Sequence, residues 1–217
     1  KDTTLYKQRG LLELNAGYDE MLEIKKINTD TDGLVLSRIL LEFDNGVFSE
    51  NKNKLLNSEF FLNLKVASSS ELSINDTLSV FPLKKRWDEG TGRYYDTSDT
   101  NYFYAGASWR YADASKNFWK DESTTENYVG GGDFYEHSEI LHKHKSINED
   151  ELNFHFKQAF SDVRINITSI VKSWMCGDIQ NNGILVKFLN ETKDTHSSIK
   201  FFSKDTNTIY YPYLEVM

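Results

Sequence analysis

The chain is expected to be all-β: a two-sheet antiparallel β-sandwich with one short helix near 168–176 and a long aromatic-rich loop region. Three observations predict it. Phe and Tyr, at 14 and 12 residues, supply most of the aromatic side chains, and both favour strands. Short segments alternate apolar and polar residues with the period of a strand. Only one stretch, DVRINITSIVKSWMCGDIQNNGILVK from Asp162 to Lys187, changes convincingly to a helical period. A sandwich of 217 residues is expected to form a single domain, and two prolines, Pro82 and Pro212, leave no Pro-rich linker to divide it.

The elements follow in order. Thr3–Tyr6 reads as a short strand, and Asn15-Ala16-Gly17 as a turn into a second strand, Glu20–Ile27. Asp30-Thr31-Asp32-Gly33 is a strong turn signal. Leu34–Asp44 (LVLSRILLEFD) is almost continuously apolar, as a strand in the middle of a core would be. Arg38 interrupts it and must face outward or meet a carboxylate. Leu55–Val66 alternates well towards its end, with Phe60, Leu62, Leu64 and Val66 on one face. Leu78–Leu83 is another strand, and Pro82 sets it at an edge or marks its end.

Trp87 to Gly132 loses periodicity and is dominated by Trp, Tyr, Gly and Asp. So long an irregular stretch is either a loop anchored by its aromatics or a functional surface. Phe134–Ile147 and Leu152–Phe160 resume strand-like patterns. Val163, Ile165 and Ile167 alternate as a strand. Ile170, Val171, Trp174 and Met175 then share one helix face, with Thr168 as the N-cap and Gly177 just past the end. Asn181-Asn182-Gly183 turns the chain into Ile184–Phe188. Ser198–Ser203 and Tyr210–Met217 complete the sheets.

The net charge of −8, from 33 acidic and 25 basic residues, argues against nucleic acid, which requires a basic face. A single cysteine, Cys176, excludes an internal disulfide and reads as a buried structural thiol. No apolar run approaches the ~18 residues of a membrane span, and no signal peptide is visible. The first residue is Lys1 rather than Met, compatible with removal of a leader or an upstream domain.

Chemistry-bearing patterns are sparse. His142 and His144 would share a strand face and could share a metal, but Lys143 and Lys145 flank them and disfavour a cation. Asp88 with Glu89, and Asp121 with Glu122, are carboxylate pairs in the aromatic region, but no spacing places them across a glycosidase cleft. No catalytic residue and no metal site is assigned. The oxygen-rich turn Asp30-Thr31-Asp32 could ligate Ca2+, although such clusters more often only turn the chain; no cofactor is expected. Gly130-Gly131-Gly132 lacks the Lys-Ser/Thr of a phosphate loop and reads as backbone needing positive φ or close approach. The aromatics are the sharper signal. Tyr94, Tyr95, Tyr102, Tyr104, Trp109, Tyr111 and Trp119 are the candidate partner- or ligand-binding residues, because Tyr and Trp combine a flat apolar face with a polar handle. For Trp87 and Trp109 the favoured reading is that they pin the loop to the sandwich.

A resemblance covers nearly the whole chain. RILLEFD at Arg38–Asp44, LKKRWDEGTGRYYD at Leu83–Asp96, SWRY at Ser108–Tyr111 and Trp119 are its first pieces. GGGDFYE at Gly130–Glu136, the Asp162–Phe188 stretch and FFSKDTNTIYYPYLEV from Phe201 complete it. Together they resemble the DNRLRE-type β-sandwich, a module similar to carbohydrate-binding jelly rolls, and most of all its versions in structural proteins of tailed bacteriophages. The naming motif is absent as a string; RILLEFD is a loose counterpart of its strand. The resemblance implies a jelly roll and a non-enzymatic virion protein: a capsid decoration, tail or fibre component packing against other virion proteins in symmetric multi-copy assembly. The alternative it implies is a glycan-binding module attaching a virion or cell to surface polysaccharide. Neither a nucleic-acid nor a membrane partner is expected.

Overall fold

The computed structural model describes residues 1–44, 46, 48, 52–94, 105–121, 123–124, 126–127, 129–141, 149–158, 160–191 and 196–217. Within them the chain is mostly β, with two sheets and one helix longer than two turns. The strands are β1 (Asp2–Lys7), β2 (Met21–Thr29), β3 (Gly33–Leu41), β4 (Phe60–Leu64), β5 (Val66–Ser70), β6 (Thr77–Pro82), β7 (Asn153–His155), β8 (Val163–Asn166), β9 (Ile184–Phe188), β10 (Ser197–Phe202) and β11 (Tyr213–Val216). The helices are α1 (Lys52–Leu55), α2 (His137–Leu141) and α3 (Thr168–Cys176). The large sheet runs β5-β10-β2-β3-β9-β6-β7, with β1 added against β3; the small sheet runs β11-β4-β8. Every pairing among the named strands is antiparallel.

Strand alternation decides what each face meets. Leu22, Ile24, Ile39, Leu41, Leu78, Val80, Ile184, Val186, Phe188, Ile199 and Phe201 point to the inner face of the large sheet. There they join Phe60, Leu62, Leu64, Val163 and Ile165 of the small sheet, and Ile170, Val171, Trp174 and Met175 of α3, in one cluster. Two sheets sharing an apolar layer in this way give the molecule its sandwich-like character.

The outer face of the large sheet is divided. Over β3, β9 and β6 it is apolar: Leu36, Leu40, Phe81, Leu83 and Leu185 form a second cluster with Trp87, Ala107, Trp109, Ala112 and Trp119. The described parts of the irregular stretch after β6 therefore form a packed cover. This explains β3: a strand covered on both faces reads as a continuous apolar run. Over β2 and β10 the outer face is polar, carrying Glu23, Lys25, Ser198 and Lys200. Arg38 sits on the outer face between Leu36 and Leu40. It donates from Nε and Nη2 to the Glu191 carboxylate at 2.9 and 2.7 Å and from Nη1 to the Gly131 carbonyl at 2.6 Å, with its guanidinium 4.8 Å from the Trp109 ring centre. A planar fork satisfied on both sides is what lets an arginine remain in an apolar layer.

The Gly130-Gly131-Gly132 run combines the two glycine requirements. Gly131 and Gly132 have φ of 83° and 97°. A Cβ on Gly130 would lie 2.4 Å from the Trp109 carbonyl, and one on Gly131 would lie 2.7 Å from both Arg38 Nη1 and the Trp109 ring. Only backbone fits between the indole and the guanidinium.

Several expectations need correction. Leu55–Val66 is divided: α1 ends at Leu55 and β4 begins only at Phe60. Phe134–Ile147 includes a helix, α2, where a strand is expected; residues 142–147 lie outside the described set, so the His142/His144 pair does too. α3 spans the expected residues and Gly177 ends it with φ of 77°, but Thr168 is not its N-cap. The Thr168 hydroxyl instead accepts the Phe60 N–H at 2.8 Å, tying helix to sheet, and Asn166 Oδ1 accepts the Thr168 N–H at 3.0 Å. Cys176 is exposed, not buried, because the apolar stripe of α3 ends at Met175.

Candidate functional site

Two side chains in the β1–β2 connection position the site. Asn15 is fully buried. Its Nδ2 donates to the carbonyls of Glu89 at 2.7 Å and Ala107 at 2.8 Å, and its Oδ1 accepts the N–H of Gly92 at 2.8 Å and of Gly17 at 3.3 Å. One amide thus uses its full donor and acceptor capacity to fasten the cover to the sheet. Gly17 and Gly90 let the chains approach closely: a Cβ on Gly17 would stand 2.1 Å from the Glu89 carbonyl, and one on Gly90 2.4 Å from Asn15 Oδ1. Asp19 then accepts the Tyr94 N–H at 3.0 Å. The segment between them carries Tyr94 against Tyr6 of β1, with ring centres 4.7 Å apart.

Beside Tyr94, over the polar half of the outer face, lies a cavity of about 520 Å3. Tyr6, Tyr94, Tyr18 and Met21 give it aromatic and apolar walls. Asp19, Glu20 and Glu23 bring negative charge, and Lys25, Arg93 and Lys200 bring positive charge. Glu23 is buried and shared: one carboxylate oxygen meets Lys25 Nζ at 3.1 Å, and the other meets Lys200 Nζ at 3.6 Å and accepts the Ser198 hydroxyl at 3.3 Å. Burial raises the Asp19 carboxyl from 3.8 to about 6, against the opposing pull of the Tyr94 N–H and Arg93. Burial likewise holds the Tyr6 hydroxyl well above its ordinary range, with Glu23 and Asp19 adding to it. Arg93 and Glu20 stand exposed at the mouth.

Of the four aromatic candidates among the described residues, Tyr94 lines this cavity. Trp109, Tyr111 and Trp119 are interior. Trp119 donates its indole N–H to the Ser108 carbonyl at 2.9 Å, Tyr111 packs its ring 5.2 Å from Phe118, and Trp109 covers Arg38. Their rings are consumed in packing, so a surface platform cannot be built from them. Trp87 is interior too and donates to the Asn182 carbonyl at 3.1 Å. Tyr95, Tyr102 and Tyr104 lie outside the described residues. Tyr6, Tyr18 and the Asp19–Lys25 charges are absent from the sequence-based candidates. Their only sequence signal is Tyr18-Asp19-Glu20 just after the Asn15–Gly17 turn.

Other charged clusters are internally satisfied. Asp2, Glu89 and Asp205 bring carboxylate oxygens within 4.8 Å of one another. Lys204 Nζ already reaches Asp205 at 2.7 Å and Glu89 at 3.3 Å, while Asp2 accepts the Lys204 N–H at 2.8 Å. An ammonium in that position takes the role a cation would have. On the inner face, buried Lys26 pairs with Asp76 at 2.5 Å, and Asp76 also accepts the Ser197 hydroxyl. In the aromatic region Asp121 is exposed and pairs with Lys85, and Glu122 lies outside the described residues.

A second surface is apolar. Among the described residues, the small sheet packs on the core through its inner face. Its outer face shows Phe61 with the Arg164 guanidinium 3.4 Å from the ring centre, Arg164 paired with Glu215 at 2.8 Å, and Tyr213, 40% exposed. Ile209, Tyr210 and Tyr211, just before β11, are 82%, 47% and 51% exposed. Such clustering of exposed aromatics marks contact surfaces. Comparison with protein-family models and with curated protein sequences finds no match.

Proposed function

We propose that this chain is a non-enzymatic structural protein of a bacteriophage virion, a jelly-roll module serving as capsid decoration, tail or fibre component and packing against other virion proteins. The sequence resemblance motivates the reading. The observation that carries it is the uncovered outer face of the small sheet with the Ile209–Tyr213 segment beside it, large apolar side chains left in water by the chain's own fold. Tyr210, Tyr211 and Tyr213 bring area at low side-chain entropy cost, and symmetry multiplies modest contacts into firm attachment. The test is cross-linking mass spectrometry of assembled particles, followed by mixing of the purified chain with particles. Cross-links from the C-terminal segment to other virion proteins, and loss of association on replacing Tyr210, Tyr211 and Tyr213 by Ser, are expected. A chain that never associates with particles or virion proteins overturns the proposal.

A second reading, attachment to surface polysaccharide, is favoured by a different observation: Tyr94 and Tyr18 flank an open cavity lined by charges of both signs.

A further inference from the structure

We propose that the cavity between the end of the cover and strands β2 and β10 is a subsite for a neutral pyranose unit, held by Tyr18 and Tyr94 and by the charge pairs around Glu23. The proposal deepens the attachment reading and rests on it.

The class of ligand follows from what lines the space. Three acids and three bases face the cavity, so their formal charges cancel. A strongly anionic ligand would meet Asp19, Glu20 and Glu23; a cationic one would meet Lys25, Arg93 and Lys200. A purely apolar ligand would have to desolvate six charged side chains, each at considerable cost. A neutral, hydroxyl-rich ring avoids all three penalties. Its hydroxyls can both donate to carboxylates and accept from ammonium or guanidinium groups, and charge-assisted hydrogen bonds are the strong ones.

The aromatic part sets orientation. Tyr94 is held from below by Tyr6 and from its own backbone by Asp19, so its ring is preorganised. Tyr18 is 42% exposed and stands at the opening. The C–H face of a pyranose is the apolar surface such rings accept. The volume of about 520 Å3 lies within the range of small-molecule sites. Glu23 does not need to move to take part: it is already oriented by Lys25, Lys200 and Ser198. Preorganised polar groups of this kind lower the cost of binding.

The experiment is saturation-transfer-difference NMR of the purified chain. The probes are the methyl glycosides of glucose, galactose, mannose and N-acetylglucosamine, their short oligosaccharides, and two charged controls, methyl glucuronide and methyl glucosaminide. Transfer to ring protons of at least one neutral probe is expected, with a Kd near the millimolar range of weak single-site binding. Tyr18→Ala, an exposed position whose loss leaves the fold intact by circular dichroism, is expected to weaken it roughly tenfold. Tyr94→Ala is expected to do at least as much, and Ile74→Ala, an exposed position outside the cavity, to leave the transfer unchanged. No transfer from any neutral probe, transfer unaffected by Tyr18→Ala, or tighter binding of a charged control overturns the proposal. Binding to an intact polysaccharide that survives both tyrosine substitutions would leave the attachment reading standing and remove this site from it. Particle association is read separately, so failure here does not bear on the packing surface.

Discussion

Replacing Asn15 tests whether the aromatic cover is a structural layer fastened by one amide. Asn15→Ala removes two donated bonds, to Glu89 and Ala107, and leaves the Gly92 N–H without its 2.8 Å acceptor. A neutral buried hydrogen bond contributes about 1–1.5 kcal/mol net, and a stranded buried group costs more, so the three short bonds predict a loss of about 3–5 kcal/mol. For a domain whose whole stability is about 5–15 kcal/mol this is a large fraction. With a urea m-value of about 3 kcal/mol/M, suited to a chain of this size, the midpoint should fall by about 1–1.7 M. Asn15→Asp discriminates further. It keeps the shape of the side chain but turns the donor into an acceptor opposite two carbonyls, so at neutral pH it should destabilise at least as much as Ala. The gap should narrow in acid, where the carboxyl regains one donor. If Asn15→Asp unfolds at pH 7 within about 1 kcal/mol of the parent, the amide is not the fastening and the reasoning fails.

Three further predictions are independent of it. Asp2 and Asp19 both rise from 3.8 to about 6, each chiefly through burial. Between roughly pH 4 and 6 the folded chain therefore holds more protons than the unfolded one, and stability should increase as pH falls through that window. Asp2 alone is worth at most about 3 kcal/mol at about 1.4 kcal/mol per pH unit, and Asp19, which is only part buried, less; denaturant midpoints at pH 4.5 and 7 check the sign. Cys176 should react with a thiol reagent such as DTNB in the native state, with little change in melting temperature; slow labelling that requires denaturant would contradict its exposure. Trp109→Ala should cost about 3–5 kcal/mol, since it empties a buried site and uncovers Arg38, whereas Tyr213→Ala should stay within about 0.5 kcal/mol.

Val163–Asn166 and helix α3 were legible because a period of two or of 3.6 needs only one buried face, whereas Ile184–Phe188 was legible as an apolar run after a turn, since Leu185 is buried on the opposite face. Leu34–Leu41 was legible as core, but not the reason for its continuity, which is a cover more than forty positions later in the chain. The α2 error has a local cause: FYEHSEI holds apolar residues that fit either period, and Glu139, accepting the Glu136 N–H at 2.7 Å, decides for helix. The site was the least legible part. Tyr94 carries the same composition signal as Trp109 and Trp119, yet it lies at the margin of the cover and they lie beneath it. Which aromatic is margin and which is anchor depends on Asn15 and Asp19, polar residues some 75 positions away that no periodicity marks.

The layering constrains where any partner can act. The inner face of the large sheet is closed by the small sheet, and the apolar half of its outer face is closed by the cover, so neither can be offered without unfolding. Among the described residues, two surfaces stand out: the polar half of the outer face, where the cavity opens, and the outer face of the small sheet. The two differ in chemistry as well as position: one balances six charges around tyrosine rings, the other clusters apolar side chains with a single ion pair. A protein that only packed would have no use for the first, and a module that only bound sugar would have no use for the second. Tyr18 lines the cavity and Tyr213 stands on the small sheet against β4, so the effects of Tyr18→Ala and Tyr213→Ala should add within about 0.5 kcal/mol. A double variant that loses particle association and sugar binding no more than the respective single variants is therefore the expected result; strong coupling between them would mean that one surface, not two, makes the contact.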